Sequence, residues 1–192
     1  MTRNRALSVV AVFAAVMALG GCSSGGNPVM GSGGDQAMRT ESGYHLSTLT
    51  CSAPPLPGRT VEVTFADMSM TQMMGGVASR GAHMRLSASP ITVAAGRVSL
   101  VASNRGWRTH ELLILPAPGA AEGRLLPAAD GKVTEAGTLG EASRSCSSGK
   151  GTGIASGAVG WITLTLPPGR YELICNLKNH YGDGMHQELI VG

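Results

Sequence analysis

The chain has 192 residues, 43% of them hydrophobic and 14% charged, with 28 glycines and 10 prolines; that length holds one domain with a sizeable core, and the low charge with abundant Gly and Pro excludes a helical bundle or coiled coil. Aromatic residues make up 4%, too few for a surface that stacks single-stranded bases. The formal charge of +3 falls away once Arg3 and Arg5 are assigned to a removable leader, since the 15 basic residues then become 13 against 12 acidic ones, and there is no electrostatic case for a nucleic-acid partner.

From the N-terminus, Thr2-Arg3-Asn4-Arg5 is a basic stretch followed by an almost wholly apolar run over residues 6–19. The run is short for a bilayer span and reads as the heart of a secretory signal over residues 1–21. It ends in Leu19-Gly20-Gly21-Cys22, which resembles a bacterial lipobox with Cys22 as the acylated first residue of the mature chain. A plain signal peptide with a chance cysteine is the alternative. Lipid at Cys22 would tether the exported protein to the extracytoplasmic face of the membrane, each buried methylene adding about 0.8 kcal/mol. Residues 22–48 are rich in Gly and Ser without an apolar period and read as a flexible tether. Residues 49–192 then form the folded domain.

In that domain, segments 60–65, 84–88, 97–103, 111–115, 161–166, 170–175 and 186–191 carry strand patterns, bounded by turn signals such as Pro167-Pro168-Gly169. This predicts an all-β fold, an antiparallel β-sandwich of about seven to eight strands with Greek-key connections. No phosphate-cradling glycine motif follows any strand. Residues 116–160 read mostly as a long loop with a weak helical patch at 139–143.

The chemistry concentrates near the C-terminus, where Cys175, His180 and Met185 stand at i, i+5 and i+10 between two predicted strands. One loop can fold a thiol, an imidazole and a thioether toward a point, and that donor set suits copper in both oxidation states. A second imidazole is needed, and His110, just after the turn Asn104-Arg105-Gly106, is the best placed. Taken alone, Cys175 reads first as a buried structural thiol or half of a disulfide, and the copper reading comes from its company of His180, Met185 and His110.

The residues Asn104-Arg105-Gly106 leading to His110-Glu111-Leu112, with Cys-x4-His-x4-Met at the end, resemble the cupredoxins, the type 1 blue copper proteins. Within them the spacing is similar to the sulfocyanin and rusticyanin-like group. The resemblance spans residues 49–192 and implies one mononuclear copper held by His110, Cys175 and His180, with Met185 as a long axial ligand. It also implies single-electron transfer with redox donor and acceptor proteins docking near His180, on a patch formed by Leu177, Tyr181 and Met185. Two positions depart from the family pattern. Lys178-Asn179 replaces a common Pro-Gly and predicts a looser, more basic loop; Glu111 stands where Asn or Ser often hydrogen-bonds around the thiolate.

With Cys22 assigned to lipid and Cys175 to copper, Cys51 and Cys146 are left to pair in an oxidising compartment. Met68, Met70, Met73 and Met74 form a second sulfur-rich group. Its first reading is flexible gap-filling, with transient Cu(I) binding and site loading as the alternative. His186 should point away from the site by strand alternation, His45 and His83 should be solvated, and Trp107 and Trp161 should pack. Four protein donors leave no open position for a substrate, so the expectation is a monomeric, membrane-tethered electron carrier rather than an enzyme. The alternative is an exported chaperone or store passing Cu(I) to a partner.

Overall fold

A computed structural model describes residues 44–68, 84–119 and 124–192. The side chains of Tyr44, His45 and Met68 lie outside that description. Among the described residues there is no helix. The strands are β1 (Tyr44–His45), β2 (Arg59–Met68), β3 (Met84–Ser89), β4 (Thr92–Val93), β5 (Gly96–Asn104), β6 (Leu112–Pro116), β7 (Gly140–Ala142), β8 (Ser147–Ser148), β9 (Val159–Leu166), β10 (Gly169–Ile174) and β11 (His186–Val191).

One sheet runs β1-β2-β5-β9-β8 with β3 also paired to β2, and the other runs β4-β11-β10-β6-β7. The chain passes between sheets from β5 to β6 and from β9 to β10, in the Greek-key manner of a sandwich. The seven predicted segments are the seven longest strands. Not every pairing is antiparallel: β2 lies parallel to β5, β4 to β11 and β8 to β9. Parallel neighbours need a crossover rather than a hairpin, and β3 and β4 lie in the connection from β2 to β5.

Period-two alternation builds the core. On β2, Val61, Val63 and Phe65 turn inward, and on β5 Val98, Leu100 and Ala102 do so, all fully buried. They meet Leu112 and Ile114 of β6, Tyr171 and Leu173 of β10 and Leu189 of β11 in one apolar cluster. The second sheet is covered on its outer face as well, where Leu113, Leu115 and Ile174 pack with Val133 and Tyr181. Burial on both faces explains why β6 reads as the unbroken apolar run Leu112-Leu113-Ile114-Leu115 instead of alternating.

The patch at 139–143 is not helical. Residues 140–142 form β7 on the edge of β6, with Ile114 opposite Gly140 and Leu112 opposite Ala142. A Cβ at Gly140 would come within 2.7 Å of Ile162 and 2.8 Å of Leu164. The close approach of the two sheets there demands the glycine, and strand pairing outweighs the local helical pattern.

The register brings the predicted site to one end of the sandwich. Phe65 pairs with Asn104, Ile174 with Leu113, and Ile174 with His186. The C-terminal ends of β2, β5 and β10 and the N-terminal ends of β6 and β11 therefore converge.

Candidate metal centre

Cys175 follows β10 in phase with Tyr171 and Leu173, so its side chain points into the core and is fully buried. Residues 175–185 close a loop between β10 and β11. The Cys175 N–H donates to the Met185 carbonyl at 3.0 Å, and the Met185 N–H donates to the His180 carbonyl at 3.0 Å. These two bonds fix the three predicted loop ligands relative to one another. Asn179 takes a left-handed backbone (φ 68°), a conformation Asn tolerates better than most residues. Its N–H donates to the Gly131 carbonyl and its carbonyl accepts from Asp183. Lys178-Asn179 thus makes a closed turn here, not a loose one.

His110 sits just before β6, in a two-way bridge with Ile154: His110 N to Ile154 O at 3.1 Å and Ile154 N to His110 O at 2.7 Å. Its ring is fully buried, with Nε2 at 3.1 Å from Asp67 Oδ2 and Nδ1 at 3.8 Å from Cys175 Sγ. His180, 8% exposed, places its Nδ1 3.2 Å from the same sulfur. The two imidazole rings are 5.0 Å apart. The donor atoms of His110, Cys175 and His180 all lie within 4.8 Å of one another and form a group positioned to hold a metal ion. Met185 is fully buried in the apolar cluster that contains Cys175.

The electrostatics match that role. Burial pushes the Cys175 thiol up to about 12, although the Glu111 and Leu177 N–H groups pull it down; the Glu111 N–H lies 3.3 Å from the sulfur. Residue 111 therefore hydrogen-bonds the sulfur through its backbone, whatever its side chain. Burial, with the charges of His110 and Arg108 nearby, pulls His180 down to about 4. The imidazole is therefore neutral at neutral pH and keeps one ring nitrogen free of a proton, as a metal donor requires.

Asp67 is the residue that sequence reading missed. It is 2% exposed and accepts from the backbone N–H groups of Trp107 (2.8 Å) and Arg108 (3.0 Å) as well as facing His110 Nε2. Burial alone would raise its carboxyl, but these hydrogen bonds and the His110 charge hold it below the usual range. An acceptor at Nε2 places the ring proton there and leaves Nδ1 to face Cys175. The signal was present: Asp67 continues the inward parity of Val61, Val63 and Phe65, where a carboxylate has no reason to be unless something uses it. Asn176 was also missed. Its buried amide accepts from Val133 N and donates to Val133 O and Glu135 Oε1, binding the loop before β7 to the ligand loop.

Cys51 and Cys146 form a disulfide across 95 residues, and Cys175 is the free cysteine among the described residues. His186 turns away from the three donors, its ring 4.9 Å from Tyr181 and its Nδ1 3.8 Å from Glu172. Two expectations need correction. Tyr181 is 3% exposed and Met185 fully buried, so they do not make a docking patch with the half-buried Leu177; Tyr181 faces inward because its hydroxyl donates to buried Glu172. Trp107 is 54% exposed and is not a core packing residue. Cys22, Met70, Met73, Met74 and His83 lie outside the described residues, and of Met68 and His45 only the backbone is described.

No protein-family model matches the sequence, nor does any curated protein. Among solved structures, the chain is similar to auracyanin A, a "blue" copper protein from the green thermophilic photosynthetic bacterium Chloroflexus aurantiacus, at 19% identity and a TM-score of 0.44, over 69% of this chain and 98% of that one. It is also similar to dithionite-reduced auracyanin from Roseiflexus castenholzii (17%, 0.43, 71% and 99%) and to reduced rusticyanin (15%, 0.42, 71% and 82%).

Proposed function

We propose that the protein is an exported, lipid-anchored electron carrier with one copper ion in a type 1 site. The observation that carries this reading is the convergence of His110 Nδ1 and His180 Nδ1 on Cys175 Sγ in a buried pocket. One thiolate and two neutral imidazoles are the donor set of blue copper sites, with a thioether as a weak fourth. His110, Cys175 and His180 would hold the metal, with the buried Met185 thioether as a weak fourth donor. When bound, copper supplies one-electron Cu(I)/Cu(II) chemistry.

The chain's own residues prepare that chemistry. Asp67 fixes the tautomer and direction of His110, and the Glu111 N–H stabilises negative charge on the sulfur. The ligand loop is tied at Cys175, Asn179 and Met185, so the donors keep their places when charge at the site changes. Four buried protein donors would leave no position for a substrate, which favours electron transfer over catalysis. The disulfide supports an oxidising, extracytoplasmic setting, and the Leu19-Gly20-Gly21-Cys22 sequence supports the anchor. Redox donor and acceptor proteins would meet the monomer at the His180 end.

The test is to load the purified protein with Cu(II) and record its visible and paramagnetic resonance spectra. An intense thiolate-to-copper band with narrow hyperfine splitting, lost in Cys175→Ser, is the expected result. A colourless protein or an ordinary tetragonal signal would overturn the type 1 reading and favour copper handling through the Met68, Met70, Met73 and Met74 group.

A further inference from the structure

The Cys51–Cys146 disulfide joins two cysteines in unlike surroundings. Cys51 is half-buried and packs against the main apolar cluster, whereas Cys146 is exposed. Cys146 stands in the tight turn at residues 145–146, between the bridge at Arg144 and β8, and takes a left-handed backbone (φ 53°). That backbone is unfavourable for a residue with a side chain. It is pinned by the Cys146 N–H, which donates to the Val159 carbonyl at 2.7 Å.

Val159, the first residue of β9, holds both cysteines. Its carbonyl takes the Cys146 N–H, and its own N–H donates to Cys51 Sγ at 3.4 Å. On the Cys51 side, the Thr50 N–H and hydroxyl both donate to the Gly157 carbonyl, at 2.7 and 3.0 Å. On the Cys146 side, Ser147 and Ser148 pair with Gly160 and Trp161 of β9. Each cysteine is thus tied to β9 or the turn before it by hydrogen bonds that do not run through the S–S bond, and these ties persist when the bond opens. Exchange of a disulfide proceeds by attack of a thiolate on one sulfur while the other leaves as a thiolate. The exposed Cys146 is the side that a protein partner reaches. Cys51 is the better leaving group, because the Val159 N–H shares its negative charge.

We propose that this disulfide is a thiol–disulfide exchange site, with Cys146 as the entry sulfur, Cys51 as the resolving thiol and a protein bearing a redox-active cysteine pair as the partner. The inference stands apart from the copper reading. In the closing direction, the Cys146 thiolate attacks one sulfur of the partner's disulfide; a mixed disulfide forms and the partner's other sulfur leaves as a thiolate. The Cys51 thiolate then attacks Cys146 Sγ, the Cys51–Cys146 bond forms, and the partner's first sulfur leaves. The chain loses two electrons, the partner's disulfide gains them, and the two cysteine protons pass to the partner's thiolates. Opening is the reverse, with a partner thiolate entering at Cys146 and Cys51 leaving beside the Val159 N–H. Because the folded chain holds the two sulfurs together, net flow runs toward closure and the partner acts as a disulfide donor.

Three measurements on the full metal-free chain test it. First, the oxidised protein is opened with reduced glutathione at about pH 8, quenched in acid, alkylated and mapped by peptide mass. The mixed disulfide is expected on Cys146 about tenfold over Cys51; equal labelling, or an excess on Cys51, overturns the polarity. The unresolvable variant Cys51→Ser should likewise take up glutathione from its disulfide about tenfold faster than Cys146→Ser does, with circular dichroism checking that both are folded; the parent map decides the matter if either is not. Second, the rate of opening is followed against dithiothreitol concentration and against urea below the unfolding transition. A rate linear in dithiothreitol and insensitive to urea is expected. A rate that levels off at the unfolding rate means that the bond opens only in the unfolded chain, and overturns the exchange site. Third, a thioredoxin whose resolving cysteine is replaced by serine serves as the partner probe. A covalent complex through Cys146 is expected, and a complex through Cys51, or none, overturns the partner class.

Discussion

The thiol at the centre of the site must lose its proton before it binds a metal, and burial makes that loss expensive. Cys175 sits near 12 rather than 9.0, so at pH 7 the thiolate is present in about one metal-free molecule in 10⁵, a deficit of ~7 kcal/mol against a preformed thiolate. An ordinary thiol would give up only ~3 kcal/mol at the same pH. Metal binding therefore releases the Cys175 proton, and this group's share of the apparent affinity rises tenfold per pH unit up to about 12 instead of levelling near 9. The direct assay follows thiolate absorbance of the metal-free protein near 240 nm from pH 7 to 11.5, with Cys175→Ser as the blank and far-ultraviolet circular dichroism as the check on folding. Thiolate should remain absent through pH 10. The companion assay measures Cu(I) affinity anaerobically against a chromophoric chelator from pH 7 to 10.5, and the difference between the parent and Cys175→Ser should keep rising through pH 9. A thiolate transition centred at or below 9 in a folded protein would refute the reasoning. It would mean that the Glu111 and Leu177 N–H groups outweigh burial.

The other predictions concern the frame around the sulfur. Cys51→Ser with Cys146→Ser opens a loop closed across 95 residues and should lower unfolding stability by about 4–5 kcal/mol in the chain-entropy model; a loss below 1 kcal/mol in denaturant titration would contradict it. Asp67→Ala leaves the Trp107 and Arg108 N–H groups and His110 Nε2 without their acceptor and should cost roughly 2–4 kcal/mol, with Asp67→Asn recovering part of the stability but less of the Cu(II) affinity. His180 is held near 4 in the folded chain against 6.5 ordinarily. The unfolded chain therefore binds its proton first on acidification, and metal-free stability should fall by ~3 kcal/mol between about pH 6.5 and 4. His180→Asn should flatten that part of the curve, and an unchanged curve would count against the neutral buried imidazole.

What could be read from the sequence, and what could not, follows from how far each contact reaches along the chain. The strands with one wet face announced themselves by alternation, as Val61, Val63 and Phe65 do on β2. The ligands Cys175 and His180 were legible because a single loop carries them five residues apart. His110 lies 65 residues from Cys175, and only its place after a turn and before an apolar strand suggested that the fold would return it to the same end. β7 was misread because its determinant is not its own sequence but the approach of Ile162 and Leu164 over Gly140. Glu111 misled for a related reason: attention to its side chain hid a backbone donor that any residue would supply. Asp67 shows the missing step most plainly. Its parity was visible, but reading it required knowing that parallel pairing sets Phe65 against Asn104, which carries the next inward residue of β2 beyond the last rung of β5. There it meets the turn that presents Trp107 outward and His110 inward. A buried carboxylate in phase with a core strand is thus a local sign of a distant partner, and in this chain that partner is His110, whose other ring nitrogen faces Cys175.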